Sequence, residues 1–277
     1  MAFKKITEQN SLHLNLDKKS IGQLLKEMNE EDQKVALAVQ KAIPQLEKLV
    51  EQIVERMKRG GRIFYIGAGS SGRLGVLDAS EIPPTFGMPS RMVVGLIAGG
   101  DEALRNPVEN AEDDINKAWD ELKQLHINKT DTVIGIAASG TTPYVLGGLR
   151  NARINGVLTA SIACNPDSPV AHEAELNIDV LVGPEFVTGS TRLKSGSAEK
   201  LVLNMISTVT MIKLGRVKGN KMVNMQLTNS KLIDRGTRII MEESGMEYEQ
   251  AKNVLLVHGS VKKALEAFLH STSHETN

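Results

Sequence analysis

The 277-residue chain is long enough for one large α/β domain plus a smaller appendage. Its 33 lysines and arginines balance 33 aspartates and glutamates, so no net field draws it to nucleic acid or to an anionic membrane. Aromatics at 3% leave few platforms for stacking bases, and Cys164, the single cysteine, excludes an intrachain disulfide and thiolate metal clusters.

Residues 1–20 contain no apolar core of signal-peptide type, and no run reaches transmembrane length, so a cytoplasmic protein without a membrane partner is expected. Ser20 reads as the N-cap of a helix in "IGQLLKEMNEEDQKVALAVQ". The next stretch, "AIPQLEKLVEQIVERMKRG", places Leu46, Leu49, Ile53 and Met57 at helical spacing and stops at Gly60-Gly61. Short apolar runs follow: "RIFYIG", "RMVVGLIAG", "DTVIGIAAS", "VLTASIAC" and "LNIDVLVG". They lack polar alternation and have helical segments between most of them, the pattern of an α/β protein whose parallel sheet is covered on both faces. Asn106 and Pro107 are expected to open a helix whose apolar stripe is Val108, Ala111, Ile115, Ala118, Trp119 and Leu122. Pro83 and Pro84 are expected to end the helix that follows the first strand. "GSAEKLVLNMISTVTMIKLG" is a long apolar helix for the sheet or a partner subunit. Beyond Gly219 the tail reads as short helices around Ala251, Leu255, Val261, Leu265 and Phe268, with "HSTSHETN" frayed. The expected organisation is an N-terminal helical segment over 1–55, a ligand-binding domain over 56–218 and a helical region over 219–277.

Three hydroxyl-rich turns carry the functional signal. Gly67, Gly69 and Gly72 spell G-x-G-x-x-G after the first strand, with Ser70 and Ser71 between the glycines. Ser139, Gly140, Thr141 and Thr142 repeat the plan after the third. A further stretch puts Ser190 and Thr191 at the head of a helix, with Arg192 and Lys194 added. Unpaired N–H groups and the positive dipole end make a helix N-terminus attract phosphate, and hydroxyls add donors to phosphate or sugar oxygens. Any one such turn is more often a plain N-cap than a ligand site; three after strands favour a phosphorylated ligand. A dinucleotide would also need an acid about 20 residues beyond the glycines for its ribose. The first acid after the second strand is Asp101, which is late, so a sugar phosphate suits the turns better. The six histidines are scattered and none stands at metal-ligand spacing, so no metal is expected. Cys164 reads as a small buried residue, and Met205, Met211, Met222 and Met225 as packing residues.

The stretches "GRIFYIGAGSSGRLGVLDASEIPPTFG", "ENAEDD", "IGIAASGTTPYV", "VGPEFVTGSTRLKSGSAEKLVLNM" and "GNKMVNMQLTNSKL" resemble the N-acetylmuramic acid 6-phosphate etherases of the sugar isomerase (SIS) superfamily. The resemblance runs from about residue 6 to residue 234, and "LDASEIPPTFG" is its most specific part. It implies a three-layer α/β/α sandwich with a mainly parallel five-stranded sheet, flanked by N-terminal helices and a small C-terminal helical appendage. The tail is similar to a three-helix module of the ubiquitin-associated type. The resemblance further implies a homodimer acting without a cofactor on an amino-sugar phosphate, releasing D-lactate from C3 by elimination and then adding water. The family's two catalytic glutamates fall on Glu81 and Glu112, and its ligand turns on Gly69, Ser70, Ser71, Ser139, Gly140, Thr141, Thr142, Ser190, Thr191 and Lys194. Departures include Thr141, where many members have arginine, and "SGSAEK" in place of "AGTAQK".

Elimination of an ether needs a base for the proton next to the carbonyl and an acid for the departing alkoxide. Glu81 near a helix C-terminus faces the negative dipole end, which favours its protonated form and the role of acid. Periodicity alone leaves Glu112 and Asp114 as equal borders of their stripe, and only the resemblance selects Glu112. A helix over 71–81 would put Glu81 roughly 15 Å from Ser71, too far for one hexose phosphate to touch both. Glu81 then serves a phosphate held by the other subunit's turn or by a different turn of its own chain, and an active site shared across a dimer interface is the expectation. The competing classes are a non-enzymatic sugar-phosphate sensor and an aldose–ketose sugar-phosphate isomerase.

Overall fold

The structure is a computed structural model and describes residues 3–274. Ser20 opens helix α1 (Ile21–Lys41) through a capping box: its hydroxyl accepts from the Gln23 N–H at 3.3 Å, and Gln23 Oε1 accepts from the Ser20 N–H at 3.0 Å. Helix α2 (Ile43–Lys58) follows after one residue and buries Leu46, Leu49, Ile53 and Met57, the stripe read from the sequence. Gly60, in the left-handed region at φ +88°, turns the chain into the sheet.

All five apolar runs form strands: β1 (Ile63–Gly67), β2 (Val93–Ile97), β3 (Thr132–Ile136), β4 (Leu158–Ala163) and β5 (Leu176–Asp179). They pair in the order β2-β1-β3-β4-β5, all parallel, with Gly67 opposite Ile97 on one side and Ile136 on the other. The order reverses at β1, so the crevice beyond the C-terminal ends of β1 and β3 is where an open parallel sheet of this kind receives a ligand. Helices α4 (Lys117–Gln124), α5 (Pro143–Ile154) and α6 (Pro169–Glu173) cover one face. Their core joins Phe64, Ile66 and Val133 to Leu122, Val145, Leu149 and Val170. On the other face Tyr65 donates to Asp78 Oδ2 of α3 (Gly69–Phe86) at 3.0 Å, and Ser207 of α7 (Lys194–Lys213) donates to Asp78 Oδ1 at 3.0 Å. The three-layer α/β/α sandwich is therefore present.

Two local expectations are corrected. Helix α3 does not stop at Pro83 but continues through both prolines to Phe86. Proline's φ suits a helix; it removes N–H donors and disfavours the helical form of the residue before it, yet here the turn stays closed by the Gly87 N–H donating to Pro83 O at 2.9 Å. Gly87 at φ +63° then ends the helix, and a Cβ there would lie 2.1 Å from the Asn224 carbonyl. Nor does a helix start at Asn106. Asn110 adopts φ +57°, Ala111–Asp113 form one 3-10 turn, and α4 begins only at Lys117. The Asp114 carboxylate accepts from the N–H groups of Asn116 at 3.0 Å and Lys117 at 3.2 Å, so this acid, not Asn106, satisfies the helix start.

The chain divides into two compact units, Met1–Ser80 with Arg91–Thr210, and Glu81–Ser90 with Met211–Asn277. The second contains α8 (Ser230–Ser244), α9 (Tyr248–His258) and α10 (Val261–His274) around Val223, Met225, Ile240, Ala251, Leu255, Val261 and Leu265. Asn229 caps α8 by accepting from the Leu232 N–H at 2.9 Å, and Gly245 and Gly259 end α8 and α9 in the left-handed region. The expectation of fraying from His270 is corrected in part: α10 runs to His274, and residues 275–277 lie outside the described residues. No helix among the described residues is long and apolar enough to cross a membrane.

Tyr65 is fully buried and its hydroxyl serves a buried carboxylate. Tyr65→Phe is expected to lower stability by about 1–3 kcal/mol, the cost of depriving a buried acceptor of its donor. Urea unfolding checks this, and an unchanged midpoint and slope would contradict it.

Candidate functional site

The turn after β1 is shaped by close backbone approach. A Cβ on Gly67 would lie 2.8 Å from the Gly72 nitrogen, and one on Gly72 would lie 2.6 Å from Ile97 Cγ1 and 2.8 Å from Gly67 O. The G-x-G-x-x-G pattern thus lets α3 leave the strand without clearance, with Gly69 at φ +53° forming the bend. The turn after β3 emerges beside it because β1 and β3 are in register. There Gly140 at φ +75° presses on Ser168, where a Cβ would lie 2.3 Å from the Ser168 Cβ. Ser139 and Thr141 share a hydroxyl–hydroxyl bond at 3.2 Å, and Asn165 Nδ2 donates to the Ala138 and Ser139 carbonyls at 3.2 and 3.0 Å. Thr142 is the N-cap residue of α5, but its side chain accepts no cap hydrogen bond.

Gly69 and Glu112 meet in a cleft of about 420 Å³, also lined by Arg73, Pro107, Glu109 and Asp113. This cleft joins the N-terminus of α3 to an exposed carboxylate held on the 3-10 turn Ala111–Asp113. A second cleft, of about 690 Å³, brings Ser70 and Arg73 together with Arg192, Ser197 and Lys200. Glu81 is exposed on α3 and belongs to the second compact unit. Because α3 runs on to Phe86, Glu81 does not stand in the last turn at the negative dipole end, contrary to the expectation from the sequence.

The third hydroxyl turn differs from the other two. The α7 N–H groups of Lys194 and Ser195 already donate to Glu185 Oε2 and Oε1, each at 2.9 Å, and the Ser195 hydroxyl adds a bond of 2.7 Å. An internal carboxylate therefore occupies the position that a phosphate would take, while Ser190 and Thr191 lie upstream of it. Lys194 is 2% exposed and its ammonium bonds Glu31 Oε2 of α1 at 2.6 Å. Burial raises the Glu31 pKa, but Lys194, Lys34 and His13 outweigh it and bring it down to about 2. The Lys194 charge is thus spent on tying α1 to α7.

Two functional neighbours escaped the sequence. Glu185 stands nine residues before Lys194, a spacing no capping motif uses. Glu199 accepts the Ser71 hydroxyl at 2.9 Å, while its Oε2 has no partner among the described residues. Burial pushes its carboxyl up to about 8, Ser71 opposing and the Glu185 charge adding to the rise. The only signal was the glutamate of "SGSAEK" where the resembled family has glutamine. Among the described residues no group of three or more His, Cys, Asp or Glu is placed to hold a metal.

The geometry agrees with comparisons to known proteins. Residues 45–153 match the model "Glucokinase regulatory protein N-terminal SIS domain" and residues 107–211 the model "SIS domain". An N-acetylmuramic acid 6-phosphate etherase of Bacteroides thetaiotaomicron is 67% identical over 99% of each chain. A protein of that name from Porphyromonas gingivalis is 64% identical over 96% of this chain and 97% of its own. The fold is shared by a phosphoheptose isomerase from Neisseria gonorrhoeae, with TM-score 0.53 and 14% identity over 69% of this chain and 98% of that one.

Glu199 gives a pH test. Its pKa is raised in the folded state, so its contribution to stability is full below the unfolded value of 4.5 and is lost as pH rises through about 8. Glu199→Gln keeps an acceptor for Ser71 without the titration. Its melting temperature is expected to exceed that of the wild type by a few degrees at pH 8 and to lose this advantage toward pH 5. Parallel melting curves across that range would contradict the assignment.

Proposed function

The chain belongs to the N-acetylmuramic acid 6-phosphate etherases, and on that premise we propose that it cleaves the D-lactyl ether of N-acetylmuramic acid 6-phosphate. The observation that supports this most is the cleft in which the α3 N-terminus and Glu112 face one space. In the ring-opened sugar the C1 aldehyde acidifies the C2 proton. Glu112 takes that proton, the C3–O bond breaks, and Glu81 delivers a proton to the departing lactyl oxygen. Water then adds across the C2–C3 double bond, its oxygen to C3 and a proton to C2, giving N-acetylglucosamine 6-phosphate. Overall one water is consumed and one D-lactate released. The turns at Gly69, Ser70 and Ser71 and at Ser139, Gly140, Thr141 and Thr142 hold the 6-phosphate through N–H donors and through their hydroxyls other than that of Ser71, whose proton goes to Glu199. Ser190 and Thr191 lie upstream of the α7 N-terminus that Glu185 already fills, and the paired Lys194 supports the scaffold beside them. No cofactor is required by this sequence of steps.

The protein acts as a cytoplasmic homodimer with the acid of one subunit serving the cleft of the other. Ser71 and Glu81 lie ten residues apart on one unbroken helix, roughly 15 Å along its axis, beyond the reach of one hexose phosphate. Half-exposed Leu77 on α3 and Met205 and Val209 on α7 offer apolar surface for the partner.

Purified protein incubated with N-acetylmuramic acid 6-phosphate should release D-lactate, and Glu112→Gln should lower the rate by about 10²–10⁴-fold. Binding of hexose phosphates without lactate would instead favour the sensor. Co-expressing Glu81→Gln and Glu112→Gln chains should restore up to about a quarter of wild-type activity, since half of the dimers are mixed and each has one intact site. No recovery in demonstrably mixed dimers would place both glutamates in one subunit's site.

A further inference from the structure

The lining of the Glu112 cleft has an unusual charge balance. Glu109, Glu112 and Asp113 contribute three carboxylates, and Arg73 is the one cation among the lining residues. The proposed substrate brings a further anion to this cleft. Its lactyl carboxylate is joined through one carbon to the ether oxygen, so an ether bond placed for Glu112 carries the carboxylate in with it. An unpaired anion among three acids in a partly enclosed cleft is costly. We propose that Arg73 is the specificity-determining residue that binds the lactyl carboxylate and so separates muramic acid phosphates from hexosamine phosphates that lack it. This rests on the etherase reading above.

The geometry of Arg73 suits the task. It follows Gly72 directly, at the fifth position of α3, where the close packing of Gly72 on Gly67 and Ile97 holds the adjoining backbone. Its Nε donates to the Leu104 carbonyl at 3.2 Å, which orients the guanidinium and leaves its two terminal nitrogens. Arg73 forms no ion pair among the described residues, in contrast to Arg62, Arg150 and Arg238. A half-buried guanidinium held by one edge presents the planar fork that pairs with a carboxylate through two parallel bonds. Cations other than Arg73 are open to the 6-phosphate: Arg192 and Lys200 line the second cleft with Ser70, one of the turn residues assigned to it, and neither lines the cleft of Glu112. Arg73 borders both clefts, so phosphate and carboxylate can sit on its two sides without sharing it.

The test compares two ligands that differ only in the lactyl group. Equilibrium binding of N-acetylmuramic acid 6-phosphate and N-acetylglucosamine 6-phosphate is measured by calorimetry on a Glu112→Gln background, which suppresses turnover. Adding Arg73→Gln should weaken the muramic ligand by roughly 10- to 100-fold, the size of a lost charge-assisted contact, and change the other less than about twofold. Arg73→Lys, which keeps the charge but not the fork, should fall between and guards against misfolding of the first variant. Equal weakening of both ligands would make Arg73 a phosphate group, and no change in either would remove it from the site; both outcomes overturn the proposal. Lactate release by the unmodified protein reports separately on the etherase reading.

Discussion

The site depends on a contact with no side chain in it: the backbone of Gly67 against the backbone of Gly72. At 2.8 Å from any Cβ that Gly67 might carry, the Gly72 nitrogen leaves no room for alternatives. This approach seats the first turn of α3 directly on the end of β1. It brings that turn level with the one after β3 and sets Arg73 and Gly69 among the residues that line the Glu112 cleft. The glycine spacing that elsewhere admits a pyrophosphate serves here first as a packing device. The hydroxyls it leaves in place then decide what ligand the turn can take.

Carboxylates divide the labour around this core. Glu185 fills the α7 N-terminus, Glu31 neutralises Lys194, and Glu199 holds the Ser71 hydroxyl from behind. Each is nearly fully buried and each is bound to a group that the sequence offered for phosphate. Glu112, by contrast, is exposed in the cleft, where a carboxylate can meet a substrate. Burial separates the acids that build the site from those free to react. The same division explains why only some of the hydroxyl-rich turns remain open: a helix N-terminus already satisfied by an internal glutamate has little left to offer an anion.

Much of this was legible in the sequence. Five unalternating apolar runs gave five parallel strands, and Ser20 and the stripe from Leu46 to Met57 gave the first two helices, because these features depend on local pattern. What escaped depended on partners distant in sequence. Pro83 and Pro84 read as a stop, yet the helix passes through them to a Gly87 fitted against Asn224. Asn106 and Pro107 read as a start, yet Asp114 took the cap. Lys194 read as a free cation because Glu31 lies 163 residues away. The turns were visible as chemistry; which of them is occupied from within was visible only in three dimensions.

On the proposed reading the ether is broken at C3, by elimination and rehydration, in the cleft of Glu112. The most direct measurement runs the reaction in ¹⁸O-labelled water and locates the label in both products by mass spectrometry. The expected result is one ¹⁸O in N-acetylglucosamine 6-phosphate, retained when the exchangeable C1 oxygen is washed out, and none at the lactate hydroxyl. Label at the lactate hydroxyl, with none held at C3, would mean that water attacks the lactyl carbon and would contradict the account.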